Sequence, residues 1–232
     1  MAHRIAQSRR VVRTAIWQRV AIAFVVGLVS LLLVLGILLR RAPEFYRQEV
    51  ARSAEEQRAA SDQCLANMSA TASQAQRAGR WRAEFTEAEL NGWLAYDLPN
   101  NHPELAEGPV AAPRIDLADG VGQIAFEYRG LFKTYVLVEF DAEARDESTL
   151  AIRFRKLRGG ALPMPMGALV EPLSSFASQL GQSVQWTEEE GLPVALVTFV
   201  PIDEGDPRVE LRNVAILADR IVLEGETAHP HR

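Results

Sequence analysis

QIAFEYRGLFKTYVLVEFDAEARDESTLAIRFR, residues 123–155, is the stretch that decides the fold. Apolar side chains alternate with polar ones in its first and last parts, at Ile124, Phe126 and Tyr128 and at Leu150, Ile152 and Phe154. A period of two is typical of strands with one buried face. Residues 135–140 lie between them and are apolar on both faces. The stretch therefore predicts a meander of antiparallel strands that supplies much of a core.

Helix and strand signals on both sides of the meander extend this unit to residues 81–226. Thr86 and Glu89 have capping-box spacing at the start of a short helix that opens at Thr86 and ends before Pro99. Further elements are predicted in order: a helix over 169–180 and strands over 183–187, 193–200, 209–216 and 220–226. The expected fold class is α+β, with an N-terminal transmembrane helix, a helical stalk, and a curved antiparallel sheet packed with two short helices. A disordered tail is expected over residues 227–232.

Residues 20–39, VAIAFVVGLVSLLLVLGILL, carry no charge and are flanked by arginines. About twenty apolar residues at about 1.5 Å each match a hydrocarbon core of about 30 Å, which predicts one transmembrane helix. Residues 1–19 hold five arginines and no acidic residue, so they predict a basic cytoplasmic tail, with the C-terminal part outside the plasma membrane. A cleaved signal peptide is the competing interpretation, but Arg40-Arg41-Ala42-Pro43 does not match a small-residue cleavage site.

The segment of residues 44–79 lacks proline after its start and is rich in Ala, Glu, Gln and Arg, which favour helix. We expect it to form a helical stalk that ends near Gly79 and lies free or against the domain. The predicted inward face is Val50, Ala54, Ser61, Leu65, Met68, Ala72 and Ala75. Because this face is mostly small, it lacks the Leu and Ile of a coiled-coil seam.

Charge and cysteine content restrict the classes of partner. All 30 acidic residues follow Arg41, so the part outside the membrane is acidic while the tail is basic. An acidic domain disfavours nucleic acid as a partner. Cys64 is the single cysteine and cannot form an internal disulfide, so stability must come from a core.

Two segments carry a resemblance to a known family: FTEAELNGWL (residues 85–94) and RGGALPMPMGAL (residues 158–169). With a meander between them and one N-terminal anchor, they resemble bacterial membrane-anchored proteins of the YpmS type and extracytoplasmic domains compared with the tubular lipid-binding (TULIP) fold. The resemblance covers about residues 81–180. It implies an elongated sheet wrapped round a helix, with an apolar groove in some members, and it implies no activity. The loop of residues 99–113 is longer and more polar than the pattern.

Few residues are candidates for chemistry. H-E-x-x-H, G-x-S-x-G, G-x-G-x-x-G and C-x-x-C motifs are absent from the sequence, so we predict no catalytic residue, no cofactor and no metal site. Asn91, at the edge of the apolar helix face, is a candidate for hydrogen bonds to neighbouring backbone or for contact with a ligand. Tyr135 and Leu137 are candidates for ligand or partner contact because their strand is apolar on both faces.

Three functions from different classes remain open. The favoured one is a non-enzymatic, membrane-anchored binding or scaffold domain of the cell envelope, with an envelope protein as its partner. The alternative is binding or transfer of a lipid or other apolar ligand in a groove. The third is an enzyme without a recognisable motif. We expect protein, and not lipid, to cover the strand of residues 135–140, which favours the first function over the second.

Overall fold

A computed structural model describes residues 25–103, 108–130, 133–179, 184–198 and 208–228. The chain divides into two compact units, residues 1–40 and 41–232. In the first unit, helix α1 (Val25–Leu39) exposes its large apolar side chains. No single helix among the described residues meets the length and hydropathy expected of a membrane span. The predicted tail (1–19), the first residues of the predicted span (20–24) and residues 229–232 lie outside the described residues.

The second unit is α+β, as predicted. Its helices are α2 (Glu44–Val50), α3 (Ala54–Ala75), α4 (Glu87–Gly92), α5 (Leu98–Asn101) and α6 (Val170–Gln179). A π-helical turn (Trp93–Asp97) joins α4 to α5, and a 3₁₀ turn (Met166–Leu169) precedes α6. The strands are β1 (Gly79–Thr86), β2 (Val110–Ala118), β3 (Val121–Arg129), β4 (Lys133–Asp146), β5 (Thr149–Gly159), β6 (Leu162–Pro163), β7 (Val184–Glu189), β8 (Leu192–Thr198), β9 (Arg208–Leu217) and β10 (Arg220–Ala228).

The strands form two antiparallel sheets where the sequence predicted one. The larger sheet has the order β2-β3-β4-β5-β8-β7, with β6 paired to β5, and it contains the predicted meander. The smaller sheet has the order β1-β10-β9. Its strand β10 runs to Ala228, so the first two residues of the predicted tail belong to a strand. Each strand can be recognised from the alternation in its own sequence. The second sheet cannot, because it depends on the pairing of β1 with β10, which are about 140 residues apart in the chain.

The main core lies between the meander and strands from later in the chain. Val136 and Val138 are buried with Phe126 and Phe140, and the same cluster includes Ala195 of β8 and Ile216 of β9. Protein thus covers this face of β4, in agreement with the expectation from the sequence. The opposite face of β4 carries Tyr135, whose ring meets the Tyr46 ring of α2 edge-on with 5.3 Å between centroids.

The predicted stalk is two helices, and the second packs on the domain. Ser53 caps α3 through a reciprocal capping box with Glu56, which separates α3 from α2. Cys64 of α3 is fully buried against Ala83 and Phe85 of β1. The prediction of one helix over residues 44–79 is therefore wrong in its continuity, because Ser53 starts a new helix within it.

The inward face of α3 also differs from the predicted one. Ser61 is buried as predicted, but Leu65 and Met68 are exposed, and Cys64, which the prediction did not include, is fully buried. Gly92 of α4 explains which face of α3 turns inward, because a Cβ at this position would lie 2.6 Å from both the Ala60 Cβ and the Ser61 backbone N. The two helices approach so closely that only small residues fit between them. The close approach of the α3 and α4 backbones therefore determines which face of α3 turns inward, and the number of apolar side chains on that face does not.

We expect Gly92→Ala to lower the free energy of unfolding by about 1–3 kcal/mol, since the α3 backbone would have to move away. Gly167→Ala is the matched control: a Cβ there meets nothing within 4 Å, so a change within about 0.5 kcal/mol is expected. Urea unfolding of both variants measures the difference. Equal stability of the two variants would contradict the close approach of α3 and α4.

Candidate binding pocket

Asn91 lies on α4 and is 3% exposed. Its Nδ2 donates to the Ile115 carbonyl at 2.8 Å, and its Oδ1 accepts from the Ile115 N–H at 2.8 Å. One amide thus satisfies both backbone groups of a residue on β2, the edge strand of the larger sheet. The sequence offered hydrogen bonds to neighbouring backbone as one role for Asn91, and these bonds match that role. Both the oxygen and the nitrogen of the side-chain amide are therefore engaged within the fold.

Side chains of α4 close more of the same sheet edge. The Glu87 carboxylate accepts from the Leu117 N–H at 2.8 Å. The Leu117 carbonyl accepts from the Asp219 N–H at 3.2 Å. Because an unpaired edge exposes a row of donors and acceptors, α4 serves as a cover for the C-terminal half of β2. The N-terminal half of β2 is built differently.

A β-bulge interrupts β2 between Ala111 and Arg114, and Ala112 has a positive φ of 48°. A left-handed backbone is unfavourable for a residue with a Cβ, and such strain is concentrated at functional positions. Pro113 within the bulge has no N–H to give to the ladder. The bulge sets Arg114 opposite Ala125 of β3, which in turn is opposite Leu137 of β4.

The register places two of the predicted site residues on the sheet face of Arg114. Leu137 lies in its row, and Tyr135 lies two residues from Leu137 on the same strand, so alternation puts both on one face. Helix α2 contributes Tyr46 to this face through its contact with Tyr135. Asn91, by contrast, is held at the sheet edge by its bonds to Ile115 and does not join them.

A cavity of about 160 Å³ lies between the bulge of β2 and the segment formed by the π-helical turn and α5. Leu94, Leu98 and Val110 give it apolar walls, and Arg114 and Arg129 supply its cations. Ligand pockets are also mostly apolar with a few polar groups, but they are larger, at about 300–1,000 Å³. Arg129 is exposed and pairs with Glu127 at 3.4 Å, whereas Arg114 is only 6% exposed.

The Arg114 guanidinium has fewer partners than its buried position requires. Nη1 donates to the Pro113 carbonyl at 2.6 Å, and Nε is enclosed without a hydrogen-bond partner. A guanidinium carries five N–H donors, and leaving buried donors unsatisfied costs free energy. Burial lowers the pKa of Arg114, opposed by the charges of Tyr46 and Glu49.

Nearby carboxylates do not neutralise Arg114 directly. Glu49 of α2 is buried and pairs with Arg52 at 2.8 Å, and its charge acts on Arg114 only from a distance. Burial alone raises the pKa of Asp116 on the same strand, which is the behaviour of a carboxyl without a paired cation. Burial also raises the pKa of Tyr46 to about 12, so its hydroxyl is neutral at pH 7. Among the described residues, Arg114 has no carboxylate within ion-pair distance.

Several other charged groups of the described residues are paired locally. Arg153 meets Asp141 at 3.2 Å and Glu189 at 3.1 Å, and Arg155 also pairs with Asp141. A wide polar cleft near Trp81 is lined by arginines and glutamates, of which Arg82 and Glu224 pair at 2.7 Å. Such exposed pairs contribute little each. Burial raises the pKa of Cys64 to about 11, so this thiol is protonated at neutral pH and is a poor nucleophile.

Sequence reasoning missed Arg114. The available signal was Pro113 inside an otherwise strand-like run, since proline within a strand indicates an edge or a bulge. A bulge can turn a charged side chain toward the interior. Nothing in the sequence, however, reveals that this arginine would be buried next to an apolar cavity.

Comparison of the chain with protein-family models, with curated proteins and with solved structures gave no match. The resemblance to YpmS-type and TULIP-like domains stays a prediction.

Proposed function

We propose that this chain is a single-pass membrane protein of the cell envelope, with its N-terminus in the cytoplasm and residues 41–232 outside it. The uncharged run of residues 20–39 between two groups of arginines carries this proposal. In support, α1 exposes apolar side chains along its length; Ile37, for example, is 70% exposed. Side chains of this kind suit a lipid environment and are costly in water.

The domain acts as a non-enzymatic binding or scaffold module. Charged side chains of β4 and β5 pair with each other, and Cys64 is buried as a neutral thiol. Among the described residues, no group of three or more His, Cys, Asp or Glu side chains could hold a metal ion.

Reporter fusions test the membrane placement. A reporter active only outside the cytoplasm, fused after Arg232, is expected to be active, and the protein is expected to keep its N-terminal residues. As a matched control, replacing Arg9, Arg10 and Arg13 by Gln should lower the fraction in this orientation, because arginines near a span hold it on the cytoplasmic side. Activity of a cytoplasmic reporter alone would contradict the orientation. A mature chain that begins near Ala42 would indicate a signal peptide.

A further inference from the structure

The end of the larger sheet at which β3 passes to β4 is basic. Arg129 and Lys133 are exposed, lie opposite each other on the two strands, and both pair with Glu127, at 3.4 and 2.6 Å. Arg158 of β5 lies in the row of Leu137, on the same face of the sheet. It is exposed and pairs with no carboxylate among the described residues. The three side chains Arg129, Lys133 and Arg158 form the basic end of the sheet.

This basic end stands out because the rest of the unit is acidic. The whole chain has a net charge of −5, and residues 1–40 hold six arginines and no acidic residue, so residues 41–232 carry −11. The turns at the other end of the same strands carry Asp119, Asp146 and Glu147. Charge of opposite sign at the two ends of a domain orients it in an electric field, such as that of an anionic surface.

Helix α2 ties the basic end to the membrane anchor. The Tyr46 ring of α2 contacts the ring of Tyr135, which lies two residues from Lys133 on β4. Glu44, the first residue of α2, comes five residues after Leu39, the last residue of the predicted span. Five residues reach at most about 18 Å. Under the proposed membrane placement, the helix that contacts β4 next to the basic end is therefore held close to the bilayer surface.

Exposed apolar groups accompany the cations. Tyr128 of β3 is 39% exposed, and its ring lies against Gly130, where an added Cβ would be 2.7 Å from Cε1. Met164 is 36% exposed and lies against Gly159, the neighbour of Arg158. Tyrosine is enriched at the level of lipid headgroups, and arginine and lysine reach headgroups while their stems stay on apolar surface. This combination suits the interface between a bilayer and water.

We propose that the basic end binds the headgroups of anionic phospholipids in the membrane that anchors the chain, which holds the domain with this end toward the bilayer. The inference rests on the proposed membrane placement and adds a second contact with the membrane. Arg129, Lys133 and Arg158 donate to the phosphate oxygens in charge-assisted hydrogen bonds. Each basic side chain near an anionic surface strengthens such a contact about fivefold, and the acidic end is repelled.

The rival explanation is that these cations only offset part of the acidic charge of the domain in solution. The chain contains two lysines, which separate the two explanations in the unaltered protein. Lys133 belongs to the basic end, whereas Lys156 lies opposite Glu139, six residues or about 20 Å along β4. The side chains of the two lysines are 55% and 57% exposed, and each pairs with one glutamate. Lys156 is therefore a matched internal control.

Brief acetylation of the full chain with an uncharged reagent, read at each lysine by mass spectrometry, tests the proposal. Nanodiscs of phosphatidylcholine are compared with nanodiscs that contain about a third phosphatidylglycerol. The anionic lipid is expected to lower the rate at Lys133 relative to Lys156 at least about threefold. Salt at about 1 M, where the Debye length is about 3 Å, should restore the ratio. An unchanged ratio overturns the proposal, and so does equal protection of both lysines, which would place the sheet face on the lipid.

Arg158→Gln removes one charge of the basic end without breaking an ion pair among the described residues, and it should at least halve the protection of Lys133. Arg145→Gln is the control, because Arg145 is exposed and lies twelve residues from Lys133, at the other end of β4. This variant should protect Lys133 as the wild type does. Full protection in Arg158→Gln, or equal losses in both variants, overturns the proposal.

The test also separates this inference from the proposed function. A chain that does not enter nanodiscs contradicts the membrane placement, and the inference falls with it. A chain that enters nanodiscs without selective protection of Lys133 overturns only the lipid contact and leaves the orientation to the reporter fusions.

Discussion

Residues 81–226 alone are expected not to fold cooperatively, whereas residues 44–228 are expected to do so. Removing α3 uncovers Phe85 and Leu223, which pack around Cys64 in the complete domain. Burial of such side chains contributes about 1.5–3 kcal/mol each, against a total stability of about 5–15 kcal/mol. The shorter fragment also loses the α3 contact at Gly92. Urea unfolding followed by circular dichroism measures the difference.

A peptide of residues 53–76 provides the control for this experiment. It carries the capping box that starts α3. It also carries Asn67, whose Nδ2 donates to the Glu89 carboxylate at 2.8 Å. Adding the peptide should restore a cooperative transition to the shorter fragment. A sharp transition in residues 81–226 without the peptide would restore the stalk interpretation and contradict the packing of α3.

The predictions that held are those that depend on neighbours in sequence. The capping box of Thr86 and Glu89 is present, and the meander pairs in the predicted order. Both are local: the capping box spans four residues, and alternation along a strand reports only which face is buried. The α+β class follows from such local signals because helices and strands could be counted without knowing their partners.

The predictions that failed depend on which surfaces meet. Strand β1 finds its partner in β10, so a second sheet forms that no local pattern indicates. The face of α3 is chosen by the absence of a side chain at Gly92, a feature of another helix. The pocket forms where the bulge at Ala112 and the neighbouring Arg114 meet the π-helical turn and α5. Only the fold brings the segments of residues 94–99 and 110–114 together.

Asn91→Leu is expected to destabilise the domain by about 2–5 kcal/mol. The leucine would leave the N–H and the carbonyl of Ile115 without partners, and each unsatisfied buried group costs about 1–3 kcal/mol. Asn100→Ala is the matched control, because Asn100 Nδ2 also donates to a backbone carbonyl, that of Tyr96 at 2.7 Å, but at an exposed position. We expect the control to lose less than about 1 kcal/mol. Similar losses in both variants would show that Asn91 does not close the sheet edge.

Asn91→Asp separates the hydrogen bonds from the shape of the side chain. At pH 7 an aspartate keeps an acceptor for the Ile115 N–H but turns a second oxygen toward the Ile115 carbonyl, in a site that is 3% exposed. Burial and this repulsion should raise the pKa of the introduced carboxyl in the folded state above its unfolded value of about 3.9. The variant should therefore approach wild-type stability below the unfolded pKa, where a protonated carboxyl can donate to the carbonyl. It should lose that stability as the pH rises through the folded pKa. Unfolding of both proteins by urea between pH 3 and pH 8 measures this, and a stability difference that does not change with pH would rule out the paired backbone bonds of Asn91.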